Sequence, residues 1–397
     1  MYGRYEEIIE RHEIDPADSD ETAEENEDDW ELQEDETDDT DYPETISHYR
    51  DAAEQGDVIA QLKLGILYYI GDEAGRDYAA AEKWLMMAAE QGYTRAQVEL
   101  GNLYRSRENG ADYDEAFKWY RKAAEQGNTI AWYHMGETYY TGKGAGQDYA
   151  EAVKWYRKAA ERGSAEAQEK LGNMYHDGIG VERDYTEALK WYTKAAWWGY
   201  VSAQYNLAGM YLEARGVVQD YGKAEKWYRE AAEQGSAEAQ EKLGNMYRDG
   251  TGVKKNYAWA FRYYREAAYS GLASAQYNLA GLYLEVRAKK QDYARAVYWY
   301  RRSAEKGYTP AQVQMGNMYY CGEGVEKDYD EAAKWYRTAA EQGDQEARYK
   351  LGNMYYRGEG VKKDTAEAAK WYQKAAEQGH EEARRLLAFC RCPVYVQ

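Results

Sequence analysis

The chain has 397 residues, with 44 Tyr, 13 Trp and 36 Gly but only four Pro and three Phe. No run of about 18 apolar residues occurs, which argues against a membrane-spanning helix, and the start MYGRYEEIIERHEIDPADSD lacks the apolar stretch of a secretory signal. The net charge of −20 sits almost wholly in residues 1–44, where 21 acidic residues face two arginines, so the remainder is near neutral and offers no basic footprint for nucleic acid.

In chain order, residues 1–40 read as a disordered acidic tail. Residues 13–44 hold 18 Asp or Glu and no Lys or Arg, with Trp30 and Leu32 inside. Such a block cannot bury enough apolar surface to fold. It can act as a solubilising brush, meet a basic partner, or dock within the molecule on lysines of the groove described below. Asp18 and Asp20 open like a calcium loop, but Ala23 stands where glycine is needed.

From residue 41 onward the chain is repetitive. A half repeat at 41–55 precedes nine full repeats over 56–378; a capping helix at 379–389 and a tail at 390–397 follow. The Trp of a K-W-Y (K-W-L at 83–85, Y-W-Y at 298–300) recurs at 84, 119, 155, 191, 227, 299, 335 and 371, with Tyr263 in the missing slot. The period is 36 residues, shortened to 35 once, at SRENGADY (106–113). Each unit holds two helical stretches separated by glycine-bearing turns. In the fourth repeat, helix A is expected over about Ala165–His176, with Ala167, Leu171 and Tyr175 on one face. Helix B is expected over Tyr185–Trp197, with Ala188, Trp191, Tyr192, Ala195 and Ala196 on one stripe.

The B helices begin with a capping box: Asp112 with Glu115, Asp148 with Glu151, Asp184 with Glu187, Asp328 with Glu331 and Asp364 with Glu367. Gly163 and its equivalents end helix B in the left-handed conformation. Gly172 and its equivalents sit inside helix A, where glycine costs about 1 kcal/mol relative to alanine; recurrence there predicts a ring or backbone pressed against the helix. A second period of 72 residues also shows. GSAEAQEKLGNMY occurs at 163–175 and 235–247, and SAQYNLAG at 202–209 and 274–281.

The block AQEKLGNMYHDGIGVERDYTEALKWYTKAA (167–196) and its copies resemble the Sel-one-like repeat (SLR) family, relatives of the tetratricopeptide repeats. The resemblance covers roughly residues 41–389. It implies an all-α fold, a right-handed α/α superhelical solenoid of nine 35–36-residue helix-turn-helix repeats with half-repeat caps. It further implies that the A helices line a concave face, and that the protein is a scaffold or adaptor. Some family members are secreted and rich in paired cysteines. Here Cys321, Cys390 and Cys392 form neither an even framework nor a zinc pattern, and a reducing cytoplasm is the expected setting.

At about 100° per residue, the helix A positions most opposed to the Ala167–Leu171 core side are those of Glu169 and Asn173. Across the repeats the first reads Leu62, Val98, Tyr133, Glu169, Tyr205, Glu241, Tyr277, Val313, Tyr349. The second reads Ile66, Asn102, Glu137, Asn173, Gly209, Asn245, Gly281, Asn317, Asn353. Tyrosines and asparagines on an outward face suit a groove for an extended peptide, although neighbouring A helices covering one another would also use them. Lys170, Lys242 and Lys350 lie three residues before an asparagine and resemble the lysine–asparagine clamp by which tetratricopeptide repeats hold carboxylates. Trp197 replaces a glutamate at the end of helix B and falls opposite that helix's core stripe. It is expected to be a contact on the outer or edge surface, or else to pack on the next loop, with Trp198 flanking the core.

No constellation calls for catalysis, a metal or a cofactor. Ser303-Ala304-Glu305-Lys306 matches the S-x-x-K of penicillin-recognising enzymes, without the S-D-N or K-T-G that accompany it. His134 and His176 lack metal-spaced partners. The expectation is a non-enzymatic protein–protein interaction scaffold that holds a protein or peptide segment. A β-lactam hydrolase and a secreted effector binding host proteins are the rivals.

Overall fold

The computed structural model describes residues 42–71, 76–106, 111–286 and 290–391. They form twenty helices and no strand. In order these are α1 (Tyr42–Glu54), α2 (Val58–Ile70), α3 (Tyr78–Glu90), α4 (Thr94–Ser106), α5 (Tyr113–Glu125), α6 (Thr129–Thr141) and α7 (Tyr149–Glu161). Next come α8 (Ala165–Asp177), α9 (Tyr185–Trp197), α10 (Val201–Glu213), α11 (Tyr221–Glu233), α12 (Ala237–Asp249), α13 (Tyr257–Tyr269) and α14 (Ala273–Val286). The last are α15 (Lys290–Glu305), α16 (Thr309–Cys321), α17 (Tyr329–Glu341), α18 (Gln345–Arg357), α19 (Thr365–Glu377) and α20 (Glu381–Arg391). Each packs against its predecessor and successor, giving an all-α solenoid. Even-numbered helices up to α18 are A helices, odd ones from α3 are B helices, and α1 and α20 keep the B and A registers. The acidic tail of residues 1–40 lies outside the described residues, and α20 runs two residues beyond the expected 389.

The core of a repeat lies between its two helices. In the fourth repeat it comprises Ala167, Leu171 and Met174 from α8 with Ala188, Trp191, Tyr192 and Ala195 from α9. The glycine inside helix A has the predicted cause. A Cβ on Gly172 would stand 2.7 Å from the Tyr192 ring, and one on Gly101, Gly136, Gly244 or Gly316 would stand 2.5 Å from Tyr120, Tyr156, Tyr264 or Tyr336. In these repeats the tyrosine after the Trp slot is therefore buried on a bare patch of helix A, a burial that contributes roughly 2–3 kcal/mol and outweighs the glycine's helix penalty. In the repeats that read Ala208-Gly209 and Ala280-Gly281, bulk is exchanged along the helix. The alanines pack in the core, while the hydroxyls of Tyr228 and Tyr300 lie over Gly209 and Gly281.

Only half of the capping box forms as expected. Asp112, Asp148, Asp184, Asp328 and Asp364 each accept from the backbone N–H of the glutamate three residues on. The aspartate's own N–H is already bound to a carbonyl near the end of helix A, as in Asp184 N to Tyr175 O at 2.9 Å. The glutamates are thereby released to pair with Lys118, Lys154, Lys190, Lys334 and Lys370 one turn on. Gly163 closes α7 with φ 92°, its N–H bound to Ala160 O.

Between repeats, the recurring glutamine of helix A acts as a rivet. Its amide donates to the carbonyl of the second alanine in the preceding A-A-E-Q: Gln61 to Ala53, Gln97 to Ala89, Gln168 to Ala160 and Gln204 to Ala196, at 3.0–3.3 Å. At three junctions its carbonyl oxygen then accepts from the glutamine of the following A-A-E-Q. These are Gln91 to Gln61 (2.8 Å), Gln126 to Gln97 (2.9 Å) and Gln234 to Gln204 (2.8 Å). Where Trp198, Ser270 and Lys306 occupy the donor's place, the buried oxygens of Gln168, Gln240 and Gln276 have no partner. That of Gln312 is also unpartnered, because Gln342 is turned to accept from Thr309.

Candidate partner-binding groove

The outward stripe of the A helices divides into three kinds of position. Leu62, Val98 and Val313 are buried and belong to the core. Tyr277 and Tyr349 are half-buried and covered by the residue that opens the next A helix: Tyr277 lies 5.5 Å from Tyr308, edge to face, and Tyr349 stacks at 4.3 Å on His380. Tyr133 and Tyr205 meet no such ring, since Ser164 and Ser236 stand in that place. Tyr205 leans on Tyr228 at 5.5 Å and lines a cleft of about 770 Å³ together with Tyr200, Val201, Asn206, Ser236 and Glu238.

The asparagines are tied to the B helices. Asn173, Asn245, Asn317 and Asn353 each accept through Oδ1 from the hydroxyl of Tyr192, Tyr264, Tyr336 or Tyr372, at 2.6–2.8 Å. Burial pushes these phenols well above their ordinary range, so they remain donors. Asn173 Nδ2 donates to Glu169, and Asn206 bridges from the neighbouring A helix to Asn173 Oδ1. Glu241 likewise accepts from Asn278 at 2.8 Å. The stripe thus carries a chain of amide and carboxylate bonds across adjacent A helices.

The three lysines are not alike. Lys170 pairs with Glu137 at 3.1 Å and Lys350 with Glu346 at 3.3 Å. Lys242 has Gly209 where Lys170 has Glu137. Beside Lys170, Tyr133, Tyr200 and Glu169 form a crowded patch. Burial, then Glu137 and Tyr200, raise the Tyr133 phenol, and burial, then Glu169 and Glu166, raise that of Tyr200. Tyrosine rings, amides and carboxylates suit a neutral or basic segment better than a carboxylate.

Trp197 is half-buried, packed edge to face on Trp227 of the next B helix at 5.8 Å, and Trp198 is 63% exposed. Tyr269 repeats the arrangement on Trp299 at 5.3 Å. The wheel phased on one repeat's core misses this contact because the side opposite that core faces the following repeat. His134 is buried, stacked on Tyr120 at 4.5 Å and beside Arg105, and its pKa is lowered to about 4 by burial and then by that guanidinium. Ser303 is fully buried, its Oγ donating to Ala273 O at 2.6 Å, and Lys306 reaches the carbonyl of Gly271. No cluster of three metal-ligating side chains occurs among the described residues, and none of their helices is long and apolar enough to cross a membrane.

The Sel1 repeat family matches nine stretches of the chain: residues 58–93, 94–128, 130–164, 165–196, 201–236, 237–272, 273–308, 309–344 and 345–380. Among solved structures, a Sel1 repeat protein from Oxalobacter formigenes is similar, with 33% identity over 86% of this chain and 89% of that one, at a TM-score of 0.51. A protective antigen of uropathogenic Escherichia coli with an SLR fold is 33% identical over 88% of this chain and 91% of its own, at a TM-score of 0.46. Yeast Tom70 aligns at 17% identity over 87% and 84%, with a TM-score of 0.38. No curated protein matches the chain.

Proposed function

The chain belongs to the Sel1 repeat family, and from that premise we propose that it is a non-enzymatic scaffold that holds a partner protein segment along the A-helix stripe. The observation that carries this reading is the cleft at Tyr205, where a half-buried ring, Asn206 and Glu238 line an open volume of about 770 Å³. Rigid aromatic area flanked by amides is the composition of a peptide-gripping surface. The partner segment is neutral to basic, in keeping with Glu169, Glu238 and Glu241 beside the tyrosines. The acidic tail offers a second, more general attraction for a basic partner. Among the described residues Cys321 and Cys390 are free thiols, in keeping with a cytoplasmic address, and an exported effector would bind by the same surface.

The hydrolase reading finds no support at Ser303. Its hydroxyl is sealed from solvent and bound to a main-chain carbonyl, so no substrate reaches it without unfolding the turn. Affinity capture with the full chain and with Tyr205→Ala/Tyr277→Ala/Tyr349→Ala tests the scaffold reading. The triple variant is expected to keep its helical spectrum and lose the partners. Recovery of the same partners by the variant would remove the stripe from consideration.

A further inference from the structure

Cations laid on tyrosine recur along this solenoid. Arg337 lies 6.0 Å from the ring centre of Tyr355 and donates to its hydroxyl at 2.8 Å, and Arg157 meets Tyr175 in the same way. Three A helices bring a lysine of their own: Lys63 lies over Tyr49, Lys170 over Tyr140 and Lys350 over Tyr336, at 5.1–6.0 Å. Helix α10 has neither lysine nor arginine, and Asn206 stands at the place of those lysines. Among the described residues, no basic side chain lines the cleft of about 770 Å³ beside it, and Glu238 is the one charged residue of its wall. Lys242, on α12, lies outside the lining. Burial, then Glu238, Glu241 and Glu213, raise the Tyr205 phenol, so the local field is negative. The positive end of α12 is offset, because Ser236 caps the N–H of Ala239 and Glu238 stands in the first turn.

We propose that this cleft takes an arginine side chain of the partner segment, its guanidinium laid on Tyr205 and forked towards Glu238. The inference rests on the groove reading above and names the residue that anchors the segment. Two sibling junctions close the same place themselves, with Tyr308 against Tyr277 and His380 stacked on Tyr349. Ser236 is too short to do so, and Tyr205 stays open. A tyrosine face attracts a cation, and a guanidinium suits it better than an ammonium, being flat, weakly hydrated and a donor in several directions. Besides Glu238, the acceptor within the wall is Asn206, whose Nδ2 is spent on Asn173 and whose Oδ1 remains to accept. A carboxylate in the same place would meet Glu238 and Glu241 as like charges.

The test is a titration of the full chain with the capped peptide Gly-Ser-Arg-Ser-Gly and its citrulline and glutamate counterparts, followed by saturation-transfer NMR. Saturable binding of the arginine peptide is expected, about fivefold weaker for citrulline, which keeps the shape and loses the charge. The glutamate peptide should not bind. Tyr205→Leu should weaken the arginine peptide about fivefold and Glu238→Gln about threefold. Absence of saturation, equal binding of arginine and citrulline, binding of the glutamate peptide, or unchanged affinity in Glu238→Gln each overturns the proposal. Should Tyr205→Leu not fold, the exposed Glu238 still decides. The groove reading fails separately, when the triple tyrosine variant retains the captured partners; if those are lost while arginine and citrulline bind alike, the groove stands and only the arginine falls.

Discussion

The glutamine that follows Ala167 and its equivalents joins three successive helices with one side chain, and its value depends on a donor in the next repeat. Gln234→Ala strands the buried oxygen of Gln204 and should cost about 1–3 kcal/mol, read as a lowered urea midpoint. Ser270→Gln supplies the missing donor to Gln240 and should add about 1 kcal/mol. None of this was legible in the sequence, because A-A-E-Q looks like a plain helix end until its partner on the neighbouring repeat is seen. His134 adds a pH term of definite sign. Its folded pKa of about 4 lies below the ordinary 6.5, so between those values the unfolded chain binds the extra proton. Stability is then lost as pH falls through that window, by up to about 3 kcal/mol. His134→Gln should flatten the fall in melting temperature between pH 6.5 and 4, and an unchanged slope would assign the loss to carboxylates.

For the individual helix, the glycine–tyrosine contact sets what can be exchanged. Gly172→Ala gains helix propensity worth about 1 kcal/mol but drives a methyl into the Tyr192 ring, and a net loss of about 1–3 kcal/mol is expected. The pair Gly172→Ala/Asn173→Gly copies the Ala208-Gly209 dipeptide and should be less destabilised than the first change alone, although it forgoes the Tyr192–Asn173 bond. A double variant as unstable as the single one would mean that the two residues do not compensate. Helix boundaries and the N-terminal aspartates could be read directly, since both follow from spacing within one repeat. The other half of each capping box could not, because the main chain of helix A takes the aspartate N–H first. The asparagine stripe was legible as outward-facing, yet the hydroxyl from the adjacent B helix that occupies it comes from about half a repeat away.

Across the whole molecule, stability is the sum of repeats and of the junctions between them. Because GSAEAQEKLGNMY begins at both 163 and 235, removing residues 164–235 rejoins the chain in register. The shortened protein should fold, with a urea m-value lower by roughly a fifth in proportion to the surface it no longer hides; loss of a cooperative transition would show that the 72-residue pairs are not interchangeable. It also lacks the Tyr205 cleft, and so should capture no partner through it. The junctions themselves are unequal. Glutamine bridges close at Gln61, Gln97 and Gln204, whereas the oxygens of Gln168, Gln240, Gln276 and Gln312 are left bare. Beyond Gln240 the junctions are tied by other means, Ser303 and Lys306 reaching the carbonyls of Ala273 and Gly271 and Thr309 reaching Gln342. A spring whose turns are fastened in different ways does not stretch evenly: pulled from its ends, it would give way junction by junction, and a bound partner would feel the tension of the junctions it spans rather than an average over the molecule.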